Sequence, residues 1–148
     1  MRKITIKERE RDVIRELRNR KNTIKKTLKF KVVKKEIKSY KNHNNMIDAY
    51  IKKGLVLNKR NKKNDIEIFL PESMDLNRNY HNTVVTLNAI RECTKLFEDF
   101  KNRKIPKSAY KLRHIRFENL KKISTSAALV LTAEISKWNS IIRARSRT

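Results

Sequence analysis

The chain has 148 residues, 38% of them hydrophobic, and 39 Lys and Arg against 15 Asp and Glu give it a formal net charge of +24. The single cysteine, Cys93, excludes an internal disulfide and any multi-cysteine zinc site, and the single glycine, Gly54, excludes a glycine-rich nucleotide loop. No apolar run approaches the roughly 20 residues of a membrane span, and the opening MRKITIKERERD lacks the apolar stretch of a signal peptide, so no membrane partner and a reducing cytoplasmic setting are expected.

The charge is unevenly placed. Positions 1–63 hold 23 basic residues against 6 acids, a net +17, whereas positions 64–148 hold 16 against 9, a net +7. An excess of that density repels itself unless a polyanion neutralises it, so RNA or DNA is the expected partner. The apolar residues concentrate after position 64, which predicts a basic helical arm over 1–54 followed by a compact α/β domain over 55–148. One glycine and two prolines leave little to interrupt long helices.

In chain order, Thr5 with Glu8 forms a capping box, which starts a helix near Ile6. Val13, Ile14, Leu17, Ile24 and Leu28 draw one thin apolar stripe along it, too narrow for a core, amid Arg9, Arg11, Arg15, Arg18, Arg20, Lys21, Lys25 and Lys26. The segment KFKVVKKEIKSY (29–40) fits a helix or a short strand. KNHNN (41–45) predicts a polar break, followed by an amphipathic turn through Met46, Ile47, Tyr50 and Ile51 that ends at a C-cap Gly54. Tyr40 and Tyr50 read as packing residues, with base stacking as the alternative use of aromatics among cations.

GLVL and IEIFLP flank the basic NKRNKKND and predict a hairpin with Leu55, Leu57, Ile66, Ile68 and Leu70 on its inner side, stopped by Pro71. The helix predicted over Thr83 to Phe100 buries Val85, Ala89, Cys93, Leu96, Phe97 and Phe100, so Cys93 reads as a core thiol. Tyr110 to Phe117 reads as a strand with Ile115 and Phe117 on one side. Ser124–Thr125–Ser126 then opens a helix whose inner face is Ala127, Leu131, Ile135, Trp138 and Ile142. The order strand, strand, helix, strand, helix predicts helices packed on a small sheet.

The stretch HIRFENLKKISTSAALVLTAEISKW resembles the signature of STAS-like domains, the fold of anti-sigma-factor antagonists, over about residues 64 to 142. In that family a hydrophobic strand runs into an Asp-Ser-Ser-Gly turn at a helix start. Phe117 to Leu120 matches the end of the strand, and Ser124, Thr125, Ser126 and Ala127 match the turn, which puts Ser126 at the phosphoacceptor position. Ser124 stands where the family has its acid and Ala127 where it has glycine. The family continues with further strand and helix where this chain ends in RARSRT. The resemblance implies a STAS-like sheet with helices on it, docking a protein partner.

Catalytic signals are weak. His43, His81 and His114 match no metal spacing, His81 and His114 read as surface and strand residues, and acid pairs such as Asp12 with Glu16 lie where intrahelical salt bridges explain them. No nucleophile, base and oxyanion set is present, so neither enzyme activity nor a metal or other cofactor is expected. The reading is a non-enzymatic nucleic-acid-binding accessory or scaffold subunit, of the kind found in a bacterial ribonucleoprotein or mobile-element defence machine. Its phosphate contacts are Arg15, Arg18, Arg20, Lys21, Lys25, Lys26, Lys29, Lys34, Lys35, Arg60, Lys62 and Lys63. Two other readings compete with it: a signalling switch gated by phosphorylation at Ser126, and a ribosome-associated protein sharing the basic arm.

Overall fold

The structure, a computed structural model, describes residues 5–60 and 64–147, without the side chains of residues 30, 32, 33, 35, 36 and 39. Its elements are α1 (Ile6–Lys52), β1 (Val56–Arg60), β2 (Asp65–Phe69), β3 (Ser73–Met74), α2 (Tyr80–Asp99), β4 (Lys111–Arg116), β5 (Lys122–Ile123) and α3 (Thr125–Ser146). Helices and a small mixed sheet make this an α/β chain, as its apolar periodicities predict.

The capping box sets the first boundary. The Glu8 amide donates to Thr5 Oγ1 at 3.4 Å and the Thr5 amide to Glu8 Oε2 at 2.9 Å, each satisfying a group that the opening turn leaves without an intrahelical partner. At the other end the Leu55 amide donates to the Tyr50 carbonyl at 3.0 Å and the Gly54 amide to that of Ile51 at 3.1 Å. These two bonds are a Schellman cap, and they require Gly54 at φ +109°, a conformation that costs a side-chain-bearing residue strain.

The polar break predicted at 41–45 is absent, and α1 continues through KNHNN. Its polarity is spent on distant backbone: His43 Nε2 lies 2.8 Å from the Tyr110 carbonyl oxygen, Asn44 Nδ2 donates to the Ser108 carbonyl at 2.9 Å, and the Tyr110 amide donates to Asn44 Oδ1 at 2.9 Å. Segment 29–40, open between helix and strand in the sequence, is helical. The chain divides into two compact units, Met1–Ser39 and Tyr40–Thr148, rather than at 54/55. The last turns of α1 belong to the second unit because Ile47 is fully buried in its core and His43 nearly so.

Within that second unit the sheet has the order β1-β2-β4. β1 and β2 form the predicted antiparallel hairpin, Leu57 facing Ile68 and Lys59 facing Ile66, while β4 joins β2 in parallel. Helix α2 starts at Tyr80, one turn before the predicted Thr83, and every residue assigned to its inner face is buried. Ala127 and Leu131 of α3 are buried too, with Ile135, Trp138 and Ile142 half-buried, and Trp138 packs against both apolar clusters of the core. Cys93 lies at 0% exposure, and burial with the nearby Glu92 charge pushes its thiol pKa up, so it is an inert core residue.

Two short strands escape the sequence pattern. Ser73–Met74 pairs in parallel with Lys122–Ile123, and the Ser124 amide donates to the Met74 carbonyl at 2.8 Å, which hands the chain into α3. In β4 the inward-facing residues are Leu112 and Ile115; Phe117, predicted beside Ile115, lies past the strand and is 50% exposed. Phe117 is exposed because β4 ends at Arg116, and a register irregularity inside the strand puts Leu112 and Ile115, three apart, on one side. Ile66 pairs with Leu112 and Glu67 with His114, so Arg113 is inserted as a bulge and the period-two reading of β4 shifts by one.

Candidate functional site

In the first unit the described basic side chains of α1 are exposed. Ile6 to Ser39 carries fourteen Lys and Arg against five acids, and four of those acids fall by Glu16. From Leu17 to Lys35 no acid interrupts Arg18, Arg20, Lys21, Lys25, Lys26, Lys29, Lys31, Lys34 and Lys35. At 100° per residue these positions point all around the helix axis rather than along one face. Arg20 Nη2 reaches Glu16 Oε1 at 2.9 Å, but both side chains are mostly exposed, so water and salt keep that pair weak. Val13, Ile14, Leu17, Ile24 and Leu28 are each 50–59% exposed, an apolar stripe threaded between the cations.

Of the predicted contacts, Arg15, Arg18, Arg20, Lys21, Lys25, Lys26, Lys29 and Lys34 lie exposed on α1 in the first unit, and Arg60 is exposed at the end of β1 in the second. Lys62, Lys63 and the side chain of Lys35 lie outside the described residues. Tyr40 and Tyr50 are half-buried against the core.

The sheet presents a second cationic surface that the sequence reading misses. Ile66, Ile68, Leu112 and Ile115 turn toward the helices, so the alternate residues face away from them: Val56, Asn58 and Arg60 on β1, Asp65, Glu67 and Phe69 on β2, His114 and Arg116 on β4. Glu67 is nevertheless only 3% exposed, because arginine side chains cover it. Arg60 Nε lies 3.1 Å and Arg116 Nη2 2.9 Å from the same Glu67 Oε1, and Arg113 Nε lies 3.2 Å from Asp65 Oδ1. Desolvation pushes the Glu67 carboxyl up, but the Arg116 hydrogen bond and the charges of Arg116, Arg60 and His114 more than offset it and hold the pKa below the usual carboxylate range. Alternation of acid and apolar in DIEIF, matched by RHIR in β4, is the sequence signal that marks this face.

Ser126 is exposed in the first turn of α3, its Oγ 3.3 Å from that of Ser124, while Ser124 caps the helix by accepting from the Ala127 amide at 3.3 Å. Exposed His81 has its Nε2 2.8 Å from the Lys53 carbonyl oxygen. Among the described residues no three His, Cys, Asp or Glu converge on a point that would hold a metal ion, and no helix is long and apolar enough to cross a membrane. No protein-family model, curated protein or solved structure matches the chain.

Proposed function

We propose that the protein is a non-enzymatic nucleic-acid-binding accessory subunit whose basic arm grips phosphates while its α/β domain docks a protein partner. The observation that carries this is the acid-free run from Leu17 to Lys35, nine Lys and Arg on α1 whose described side chains are all exposed in that run. A face kept merely for solvation mixes both signs, whereas this run places cations around the helix, where they meet phosphates with little regard to sequence. Arg60, exposed at the end of β1 in the second unit, is a further phosphate contact in this reading, as are Lys62 and Lys63, which lie outside the described residues. A ribonucleoprotein or mobile-element defence assembly suits the division of labour, and a ribosome-associated role would draw on the same arm.

Fluorescence anisotropy of a labelled oligonucleotide against salt tests the reading. Log affinity should fall linearly with log salt, with a slope of about −0.9 per phosphate neutralised on duplex or about −0.7 on single strands. Affinity that is flat between low and moderate salt would remove the arm from this role.

A second reading rests on Ser126. Its exposed position in the first turn of α3, directly after a strand and a serine cap, has the layout of the STAS-type phosphoacceptor turn that this segment resembles. Ser124 and Ala127, in place of that family's acid and glycine, weigh against regulated phosphorylation there.

A further inference from the structure

We infer that the open face of the β1-β2-β4 sheet is a binding surface for single-stranded nucleic acid, with phosphates on Arg60, Arg113 and Arg116 and an unstacked base beside Phe69. This rests on the nucleic-acid reading and adds to it a site on the second unit, chemically distinct from the arm.

Three observations point to such a ligand. The first is how the arginines are held. Placing a carboxylate in the middle of β2 and burying it under two guanidinium groups is costly for the sheet, and a β-branched residue would serve the fold better. Glu67 engages Arg60 through Nε and Arg116 through a single Nη, and Asp65 engages Arg113 through Nε. Each guanidinium is thereby fixed in direction yet keeps terminal N–H donors for a further acceptor, and Arg60 and Arg113 remain 53% and 51% exposed. Fixed forks of this kind match phosphate oxygens.

The second is net charge. The described residues of this face carry four Lys and Arg, Arg60, Lys111, Arg113 and Arg116, against three acids, Asp65, Glu67 and Glu118, a net +1. The face therefore keeps a small cationic surplus after its internal pairs are formed, with Glu118 3.8 Å from Arg116.

The third is the neighbour of Arg116. Phe69 stands opposite Arg116 in the register and opposite Val56, itself 57% exposed, on the other side. Half-buried Phe69 lines a cavity of about 320 Å³ at the end of the sheet beside α2, together with Val56, Asn82, Thr86, Asn119 and Glu72, whose carboxylate is paired with Lys121 at 2.9 Å. An aromatic wall, two carboxamides able to donate and accept, and an adjacent arginine are what a splayed nucleobase and its phosphate require. Bases in a duplex are stacked and cannot enter such a cavity, which selects a single strand.

The test uses the full chain and fluorescent oligonucleotides of one sequence as single-stranded RNA, single-stranded DNA and duplex. Wild type should bind at least one of the single strands, the tighter of the two identifying the preferred sugar. The double variant Arg60→Gln/Arg113→Gln, which leaves the Arg116–Glu67 pair in place, should bind it at least about fivefold more weakly and with a salt slope about 1.4 shallower, two phosphates at about 0.7 each. Phe69→Leu, which keeps the apolar contact, and Asn119→Ala, at an exposed position, should each weaken single-strand binding about fivefold or more and leave duplex binding unchanged. If wild type binds while all these variants bind single strands within twofold of it, the sheet-face site is refuted and the arm alone carries the binding. Equal losses on single strand and duplex in Phe69→Leu would likewise overturn the single-strand assignment. If wild type binds none of the three, the nucleic-acid reading and this inference fall together.

Discussion

His43 and Tyr110, 67 residues apart in sequence, are joined by a ring nitrogen 2.8 Å from a carbonyl oxygen. Because a carbonyl only accepts, Nε2 carries the proton and donates, which leaves Nδ1 buried, without a hydrogen-bond partner and 3.8 Å from Glu92 Oε1. The histidine thus ties the last turns of α1 to the start of β4, at the cost of one poorly satisfied nitrogen. Replacing it with leucine leaves the Tyr110 carbonyl unpaired and should cost about 1 to 3 kcal/mol of unfolding free energy in chemical denaturation.

The same pair makes stability depend on pH. Burial lowers the His43 pKa below its usual 6.5, against the opposing Tyr110 hydrogen bond and the charges of Glu92 and Asp99. The unfolded chain therefore takes up a proton that the folded chain refuses. His43's contribution is complete above pH 6.5 and is lost as the pH falls from there toward the folded pKa. Wild type should lose melting temperature over that window more steeply than His43→Gln, and Glu92→Gln, which removes a charge that favours protonation, should extend the loss. Glu67 acts in a lower window, because its depressed pKa makes its share of stability disappear only below about 4.5.

The apolar face of α2 gives a second prediction. Phe97 is 4% exposed in the cluster with Phe100, Ile105 and Ala109, and Leu131 of α3 is 4% exposed in the larger core cluster. Truncating either to alanine should cost about 2 to 5 kcal/mol, read from urea denaturation.

Much of this fold is legible in the sequence because its signals are local. Thr5 and Glu8 mark the start of α1, Gly54 its end, and the spacing from Val85 to Phe100 the buried face of α2, each through groups within a turn or two of one another. The parts that escape depend on partners far along the chain. KNHNN reads as a break because its side chains look solvated, yet His43 and Asn44 bond backbone at 108–110. β3 and β5 are two residues each and exist only through pairing across 49 positions, Ser73 with Lys122. The sheet face is half legible: acid and arginine alternate visibly, but the Arg113 bulge, which decides which residues of β4 face outward, leaves no mark in one sequence.

The arm and the core should come apart experimentally. All of the described buried apolar residues lie at or after Ile47, within the unit Tyr40–Thr148. A chain beginning at Tyr40 should keep its cooperative melting transition and near-ultraviolet circular dichroism. It loses fourteen of the basic residues that follow Thr5, and with them most of the salt-dependent affinity for nucleic acid. Undiminished affinity in the truncated chain would assign the binding to the α/β unit.

Ser126 separates the scaffold from the switch. It lies in the first turn of α3, where the helix dipole favours negative charge, so the carboxylate of Ser126→Asp should be neutral or stabilise by about 0.3 to 1 kcal/mol. In the scaffold reading the substitution leaves nucleic-acid affinity unchanged and leaves partner capture the same in the alanine and aspartate forms. In the switch reading a phosphate-like charge acts on whatever packs against that turn, so the two forms diverge, one retaining a protein partner that the other releases. Ser124 and Ala127 are not the acid and glycine that accompany a regulated serine in the STAS-like turn, and the Ser124 hydroxyl is already engaged as the helix cap. Equal partner recovery from wild type, Ser126→Ala and Ser126→Asp in quantitative co-purification is therefore the expected result, and opposite behaviour of the alanine and aspartate forms would make the switch the correct reading.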